Sequence, residues 1–235
     1  MRAVALHADV LVATSAVLQV NCVIVRGPVE GEAETFVIDS PVLPEELQSL
    51  PALLEQARFP APSGLLATHG DWDHLLGRLA FPGLALGCAQ STAERLRASP
   101  GEAQRELRAF DEDLLIERPR PLALGSVQAL PVPGRCAVGD HELELHPAEG
   151  HTQDGMAIVI GWARVLVAGD YLSTVEPPTL NDGGDRDAYL ATLERLRPLV
   201  ASVEHVVPGH GPVMGSERAL EVLEENVAVL LTRAT

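Results

Sequence analysis

Apolar residues along this chain fall into short, nearly continuous runs of three to nine positions. Runs this short, rich in Val, Ile and Leu and ended by Gly, Pro or Asp, are typical of strands buried on both faces. The pattern predicts twelve strands, over residues 4–6, 10–13, 17–25, 36–38, 65–67, 84–88, 126–132, 136–138, 142–146, 156–160, 165–168 and 205–207.

Four other segments show the spacing of an amphipathic helix. Leu43, Leu47, Leu50 and Leu54 predict a helix over 44–58, with Pro51 as a possible break. Ser91 followed by Glu94 resembles a capping box and predicts a helix from there to about 107, with Pro100-Gly101 as a possible earlier break. Two further helices are predicted over 186–197, ended by Pro198, and over 217–232, capped by Ser216. Residues 108–121 show no clear period, which predicts a surface connection.

The elements run from strands to helix twice, without a low-complexity segment or a flexible linker between the two halves. The chain has 235 residues, of which 46% are hydrophobic, enough for a substantial core. The sequence therefore predicts an α/β fold in a single domain over residues 1–235.

The charge pattern excludes several classes of function. The net charge is −16 and all 17 basic residues are arginine, because the chain has no lysine. An acidic chain of this kind disfavours nucleic acid and anionic membranes as partners. A Schiff-base or P-loop lysine is excluded outright. The expected partner is a small-molecule substrate; the oligomeric state is left open, a homodimer being one option.

Cysteine usage indicates the compartment. Cys22, Cys88 and Cys136 are odd in number and far apart, as expected of unpaired thiols in a reducing cytosol. The apolar N-terminus is interrupted by His7 and Asp9, so it predicts strands rather than a signal peptide or a membrane span. A cytoplasmic protein is expected.

The chemistry concentrates in Thr68-His69-Gly70-Asp71-Trp72-Asp73-His74, directly after a predicted strand. Gly70 permits a sharp turn there. Imidazole and carboxylate groups in this mixture suit zinc, iron or manganese. Three later loops, each after a strand and each containing glycine, carry further candidates: His151, Asp170 and His210. Loops at one edge of a sheet can converge, which predicts one metal site.

Taken in order, these fragments resemble the metallo-β-lactamase fold superfamily of metal-dependent hydrolases, near its glyoxalase II and lactonase branch. The family pattern is H-x-H-x-D-H, then G-H-T, G-D and G-H-G. Here it is matched by His69-x-Asp71-x-Asp73-His74, Gly150-His151-Thr152, Gly169-Asp170 and Gly209-His210-Gly211. The resemblance implies a four-layer αββα sandwich with two divalent metal ions at one end of the strands.

The resemblance also assigns ligands. Metal 1 would be held by His69, Asp71 and His151, metal 2 by Asp73, His74 and His210, and Asp170 would bridge them. Asp73 would also orient the nucleophile and accept its proton. Asp71 departs from the family, which usually has histidine there. Zinc is the default, but the harder carboxylate oxygen leaves iron, manganese or a single ion open.

Together with the site chemistry, the resemblance implies a hydrolase in which a metal-bridging hydroxide attacks a small ester, thioester or lactone. An iron-dependent redox protein, linked to oxygen or persulfide, and a non-catalytic metal-binding module are the alternatives. Loops 70–80, 153–156 and 172–185 are expected to shape specificity.

Four more residues are interpreted individually. Asp39 is a candidate hydrogen-bond partner of a ligand histidine, or a turn cap. Trp72 lines the pocket or packs beneath its loop, whereas Tyr171 and Arg78 are expected in packed and surface positions.

Overall fold

A computed structural model describes residues 1–27, 33–181 and 183–232. The specificity loop 172–185 is thus described except for Asp182, which lies outside these ranges. Within them the chain forms two β-sheets and six helices, each sheet covered on its outer face by helices. The predicted four-layer αββα sandwich is confirmed.

The first sheet has seven strands in sequential order. Neighbouring strands are antiparallel from β1 to β4 and parallel from β4 to β7. The strands are β1 (Arg2–His7), β2 (Val10–Thr14), β3 (Asn21–Gly27), β4 (Glu34–Ile38), β5 (Gly64–Leu66), β6 (Leu86–Ala89) and β7 (Val127–Leu130).

The second sheet has six strands and runs β13-β12-β11-β10-β9-β8. Only β11 and β12 are parallel neighbours. The strands are β8 (Gly134–Val138), β9 (His141–Pro147), β10 (Met156–Ile160), β11 (Val165–Val167), β12 (His205–Val207) and β13 (Met214–Gly215).

The helices divide between the outer layers. Four belong to the first half of the chain: α1 (Pro44–Gln56), α2 (Gly77–Ala80), α3 (Gln90–Ala98) and α4 (Glu102–Leu114). The other two, α5 (Arg186–Ser202) and α6 (Ser216–Thr232), cover the second sheet. Among the described residues no helix is both long and apolar enough to cross a membrane.

The continuous apolar runs are explained by burial on both faces of each sheet. In β2, Val10 and Val12 face the second sheet while Leu11 and Ala13 face the helices of the first layer. In β10, Ile158 faces the other sheet and its neighbour Val159 faces α5 and α6. Since side chains alternate along a strand, both faces must be apolar.

Two predicted helix boundaries are wrong. The helix predicted to run to residue 107 ends at Ala98, because the possible break at Pro100 and Gly101 is present and Gly101 has a φ of +77°. No side-chain cap from Ser91 is present; the helix begins one residue earlier, at Gln90. Conversely, α5 continues through Pro198 to Ser202, since Leu196 and Val200 anchor both sides of the proline in the core.

The surface connection predicted over 108–121 is also wrong for its first part. Helix α4 extends to Leu114. Ala103, Leu107 and Phe110 recur at helical spacing and pack on the first core, while the charged residues between them hid the period.

Strand β13 is not predicted by the apolar pattern, and β3 begins at Asn21 instead of residue 17. Residues 15–20 form a loop in which Leu18 and Gln19 adopt positive φ.

Candidate metal centre

The seven predicted ligands meet at one edge of the sandwich, on loops from both sheets. His69, Asp71, Asp73 and His74 follow β5, the last two in a single 3-10 turn, Trp72–His74. From the second sheet, His151 follows β9, Asp170 follows β11 and His210 follows β12. The structure thus brings together every residue assigned to the site by its position in the sequence motifs.

The side chains form three overlapping groups whose potential ligand atoms lie within 4.8 Å of one another. The groups are His69, Asp71 and His151; Asp73, His74 and His210; and His69, His74 and Asp170. The first two correspond to the two ligand sets that the family resemblance implies.

Asp170 lies between the two groups. Its Oδ2 is 3.2 Å from His151 Nε2 and 3.3 Å from His210 Nε2, and its Oδ1 is 3.1 Å from His74 Nε2. This carboxylate therefore faces both groups at once, as a bridging residue must.

The other ring nitrogen of each histidine is fixed by a neighbour. His74 Nδ1 lies 2.9 Å from Asp39 Oδ2, and His151 Nδ1 lies 3.0 Å from the Thr179 carbonyl oxygen. His210 Nδ1 lies 2.8 Å from the Leu18 carbonyl oxygen. A carbonyl can only accept, so the Nδ1 atoms of His151 and His210 carry hydrogen and their Nε2 atoms face the centre, as in metal ligands.

Asp39 orients two parts of the centre. Besides contacting His74, it accepts hydrogen bonds from the Thr68 backbone N–H and hydroxyl, both at 2.8 Å. The Thr68 hydroxyl oxygen in turn lies 3.1 Å from His69 Nδ1. The suggested contact with a ligand histidine is present, together with support of the loop.

The fit of a metal ion is supported by buried polar atoms that lack a partner. Within the described residues, His69 Nε2, His74 Nε2 and Asp170 Oδ1 make no hydrogen bond although they are inaccessible to solvent. An unsatisfied buried polar atom costs about 1–3 kcal/mol. A cation coordinated by these atoms would remove that cost, so the donor set suits divalent metal ions.

The electrostatics of the centre favour positive charge. Burial alone would lower the pKa of His151, but hydrogen bonds to Asp170 and Asp71 raise it to about 10. The pKa of His210 rises to about 9 against burial, chiefly because of the Asp170 charge. Burial opposes ionisation of Asp170, yet His74, His69 and His210 hold the pKa of that carboxyl well below its usual range. The carboxylates thus stabilise cations here, whether protons or metal ions.

Asp71 has two differently engaged oxygens. Its Oδ1 lies 2.8 Å from Arg95 Nη1. Its Oδ2 accepts from Asn181 Nδ2 at 2.8 Å and lies 3.6 Å from both His69 Nε2 and His151 Nε2. Only Oδ2 therefore faces the two imidazoles of its group.

The Arg95 nitrogen that contacts Asp71 also contacts Asp154, a buried residue that the sequence did not single out. Arg95 Nη1 donates to Asp154 Oδ1 at 2.9 Å, and Asp154 Oδ2 accepts from the Gly70 N–H at 2.9 Å. The sequence did not predict Arg95 or Asn181 as site residues either. A local signal existed for Asp154, which lies three residues after His151, but none marked Arg95 on α3.

Trp72 and Tyr171 have different surroundings. The Trp72 ring packs 4.7 Å from Phe110 and also lines the cavity over the centre, so both suggested roles are present. The Tyr171 hydroxyl is buried, accepting from the His151 N–H at 3.0 Å and lying 3.3 Å from the Ala148 carbonyl oxygen. The packed position expected for Tyr171 is what the structure shows. Arg78 lies by Ala123, away from the cavity.

The loop that carries His210 approaches Asp170 closely. A Cβ atom at Gly209 would lie 2.0 Å from Asp170 Oδ1, which only glycine avoids. Asn21 fixes the same loop by donating to the carbonyls of Pro208 and Gly211 at 2.9 and 2.7 Å.

A cavity of about 860 Å³ opens onto the centre. Its walls include five proposed ligands, part of loop 172–185 and residues from three other segments. They are Leu18, Asp71, Trp72, Asp73, Arg95, Glu106, His151, Asp170, Glu176, Thr179, Leu180, Asn181, Gly183 and His210. The volume suits a small molecule.

Comparison with known proteins gives a family match. A sequence model described as metallo-beta-lactamase superfamily matches residues 16–210. Among curated protein sequences, no significant match was found.

Several solved structures share the fold. A metallo-beta-lactamase from Pontibacter korlensis superposes with a TM-score of 0.67 at 16% identity, over 99% of each chain. The metallo-beta-lactamase family protein TTHA1429 from Thermus thermophilus gives 0.69 at 19% identity, over 95% of this chain and 81% of that one. TTHA1623, solved in a di-iron-bound form, gives 0.63 at 19% identity, over 90% and 97%.

Proposed function

The chain belongs to the metallo-beta-lactamase superfamily, and on that premise we propose that it is a metal-dependent hydrolase. The proposed substrate is a small ester, thioester or lactone. The observation that carries the proposal is the convergence of four histidines and three aspartates with unsatisfied buried atoms among them. A cavity of small-molecule size opens onto these groups.

The residues of the centre have metal-binding, proton-accepting and orienting roles in this proposal. His69, Asp71 and His151 would hold one ion, Asp73, His74 and His210 the other, and Asp170 both. Bound divalent ions supply a water with a pKa near 7 and polarise a carbonyl oxygen. Asp73 lines the cavity beside His210, where it would orient that water and take its proton. Asp39 keeps His74 oriented, and the Tyr171 hydroxyl keeps the His151 backbone in place.

We propose two zinc ions as the default, with iron or manganese as the alternatives. The oxygen donor of Asp71 supports the alternatives, because harder ligands favour harder metals. TTHA1623 shows that a protein with this fold has been solved with two irons.

The proposed partner is a small molecule, not a nucleic acid or a membrane, and the proposed compartment is the cytoplasm. The net charge of −16 and the lack of lysine support the first part. The three cysteines, all of them in the described part of the chain, are free, which supports the second.

The test combines metal content with turnover. Protein purified with zinc, iron and manganese available should contain about two ions per chain by plasma mass spectrometry. It should hydrolyse at least one member of a panel of esters, thioesters and lactones. Asp170→Asn should lower kcat at least 100-fold with an unchanged circular dichroism spectrum, whereas Asp140→Asn, on an exposed turn, should not.

Other results would favour one of the alternative functions. Wild-type-like turnover of the Asp170→Asn variant would contradict a mechanism that needs both ions. Predominant iron with no turnover on the panel would favour the redox alternative, to be followed by oxygen-consumption assays with thiols and persulfides. A chain that binds metal and shows neither activity would be a non-catalytic module.

A further inference from the structure

We propose that the cavity over the metal centre selects neutral or cationic substrates against anionic ones, and that Glu176 is a residue that determines this specificity. The inference rests on the proposed function, because it concerns the substrates of the same centre. It follows from how the charges in the cavity walls are paired.

Carboxylates dominate those walls. Asp71, Asp73 and Asp170 belong to the proposed ligand set, and bound metal ions would offset their charge. Glu106 and Glu176 line the cavity outside that set. Glu176 therefore adds a negative charge to the walls beyond those of the proposed ligands.

The arginine in the cavity walls is already engaged. Arg95 Nη1 lies 2.8 Å from Asp71 Oδ1 and 2.9 Å from Asp154 Oδ1, and the Arg95 side chain is only 9% exposed. A substrate carboxylate or phosphate would have to displace one of two aspartates to pair with it. No other arginine lines the cavity among the residues that the structure describes.

Glu176 has a fixed and accessible position in the wall. Its backbone N–H donates to Ser173 Oγ at 3.0 Å, which orders the turn that presents it. Its Oε1 lies 3.6 Å from His210 Nδ1, whose hydrogen bond goes to the Leu18 carbonyl oxygen instead. The side chain is 41% exposed, and the ion pairs of the described chain include none between Glu176 and an arginine.

The consequence concerns ligand charge. An anionic group that enters the cavity is repelled by Glu176, and no free arginine compensates for that repulsion. A cationic group is attracted by Glu176, and a neutral group is not repelled. Charge selection of this kind acts through partly solvated groups, so it should weaken as ionic strength rises.

Hydrolysis of esters that are matched in size and differ in charge tests the proposal. The probes are nitrophenyl esters of similar size whose acyl chains end in a trimethylammonium, a methyl or a carboxylate group. At low salt, kcat/KM for the cationic ester should exceed that for the anionic ester at least tenfold, and the ratio should fall at high salt. Glu176→Gln should lower the ratio several-fold.

Glu204→Gln is the matched control. Glu204 is an exposed glutamate directly before β12, at the opposite end of that strand from His210, and its substitution should leave the ratio unchanged. Equal rates for the anionic and cationic esters, or no effect of Glu176→Gln on their ratio, would overturn the proposal.

A second readout does not need hydrolysis. Trp72 lines the cavity and Trp162 is the second of two tryptophans, so Trp162→Phe leaves Trp72 as a single reporter. Caesium should quench its fluorescence more effectively than iodide, relative to free tryptophanamide, and Glu176→Gln should reduce that preference. In Trp72→Phe, Trp162 should not respond to the Glu176 substitution.

The two readouts separate the two proposals. If no ester is hydrolysed, the proposed hydrolase activity on esters fails, and quenching alone decides the charge selection. If the neutral ester is hydrolysed while caesium and iodide quench Trp72 equally, the charge selection fails and the hydrolase stands.

Discussion

At the scale of single residues, Asp71 separates this chain from the usual pattern of its superfamily. Its Oδ2 accepts a hydrogen bond from the Asn181 amide and faces two imidazoles, while its Oδ1 forms an ion pair with Arg95. Asp71 can therefore offer one oxygen to a metal ion without giving up its ion pair. A histidine there would offer a neutral nitrogen, which zinc accepts more readily.

Asp71→His should raise the zinc affinity of the site formed with His69 and His151 about tenfold, equivalent to ~1.4 kcal/mol. Competition against a chelator of known affinity measures it. Arg95 keeps Asp154 as a partner in this variant, so the fold should be retained. Unchanged zinc affinity would show that Asp71 is not a ligand.

Arg95 compensates the charge of a buried aspartate, which would be left unpaired if Arg95 were removed. Asp154 is fully buried, and its charge is compensated by Arg95 and one backbone N–H. Breaking a buried pair by removing one partner costs far more than breaking an exposed pair, because the remaining charge stays desolvated.

Arg95→Met should lower the free energy of unfolding by about 3 kcal/mol, measured by denaturant unfolding of the metal-free protein. Arg164→Met removes an ion pair with Glu204 in which both side chains are 57% exposed. That control should cost under about 1 kcal/mol. Similar losses in the two variants would contradict the structural role given to Arg95.

At the scale of elements, the errors of prediction at α4 and α5 have a common cause. The rules for helix ends are local, whereas helices α4 and α5 are decided by contacts with distant parts of the chain. Leu107 and Phe110 fix α4 on the first core in spite of its charged composition. Leu196 and Val200 hold α5 together across Pro198. Strands were predicted better, because burial on both faces leaves a continuous apolar run that local sequence displays.

Pro198 is exposed and interrupts the hydrogen bonding of α5, since proline lacks the N–H. Pro198→Ala should therefore raise the free energy of unfolding by about 1 kcal/mol or more. Pro44→Ala, in the first turn of α1 where the N–H has no partner within the helix, should change it little. Thermal and denaturant unfolding measure both, and a neutral or destabilising Pro198→Ala would show that ring packing compensates for the lost bond.

At the scale of the whole molecule, the candidate metal centre joins the two halves of the sandwich. His69, Asp71, Asp73 and His74 follow a strand of the first sheet, and the other proposed ligands follow strands of the second. The centre also depends on contacts across the halves: Asn21 of β3 holds the His210 loop, and Asp154 holds Gly70. Ions bound here would stabilise the assembled sandwich over the unfolded chain.

Removal of metal should therefore lower Tm, and re-addition should restore it. For one site, free metal at 100 times Kd stabilises by about 2.7 kcal/mol, and the shift should increase with the logarithm of metal concentration. Differential scanning calorimetry with and without chelator measures it. Asp170→Asn should lose most of the shift, and a Tm independent of metal would contradict coordination from both halves.

The sequence by itself determined the chemistry available at the centre and the class of fold. His69, Asp73, His74, His151, Asp170 and His210 follow strands in an order that already indicates loops meeting at one edge. Strand runs and glycine turns are properties of neighbouring residues, so they can be seen without coordinates.

Only the tertiary structure decided which groups surround those ligands. Arg95, Asp154, Asn181 and Glu176 come from a helix and two loops far apart in sequence. The sequence placed the last three in loops expected to shape specificity, but no local feature showed which groups each of them contacts. Their roles arise from burial and from distances of about 3 Å between segments separated by up to 110 positions. Such distances depend on how the two sheets pack, and packing is a property of the whole chain.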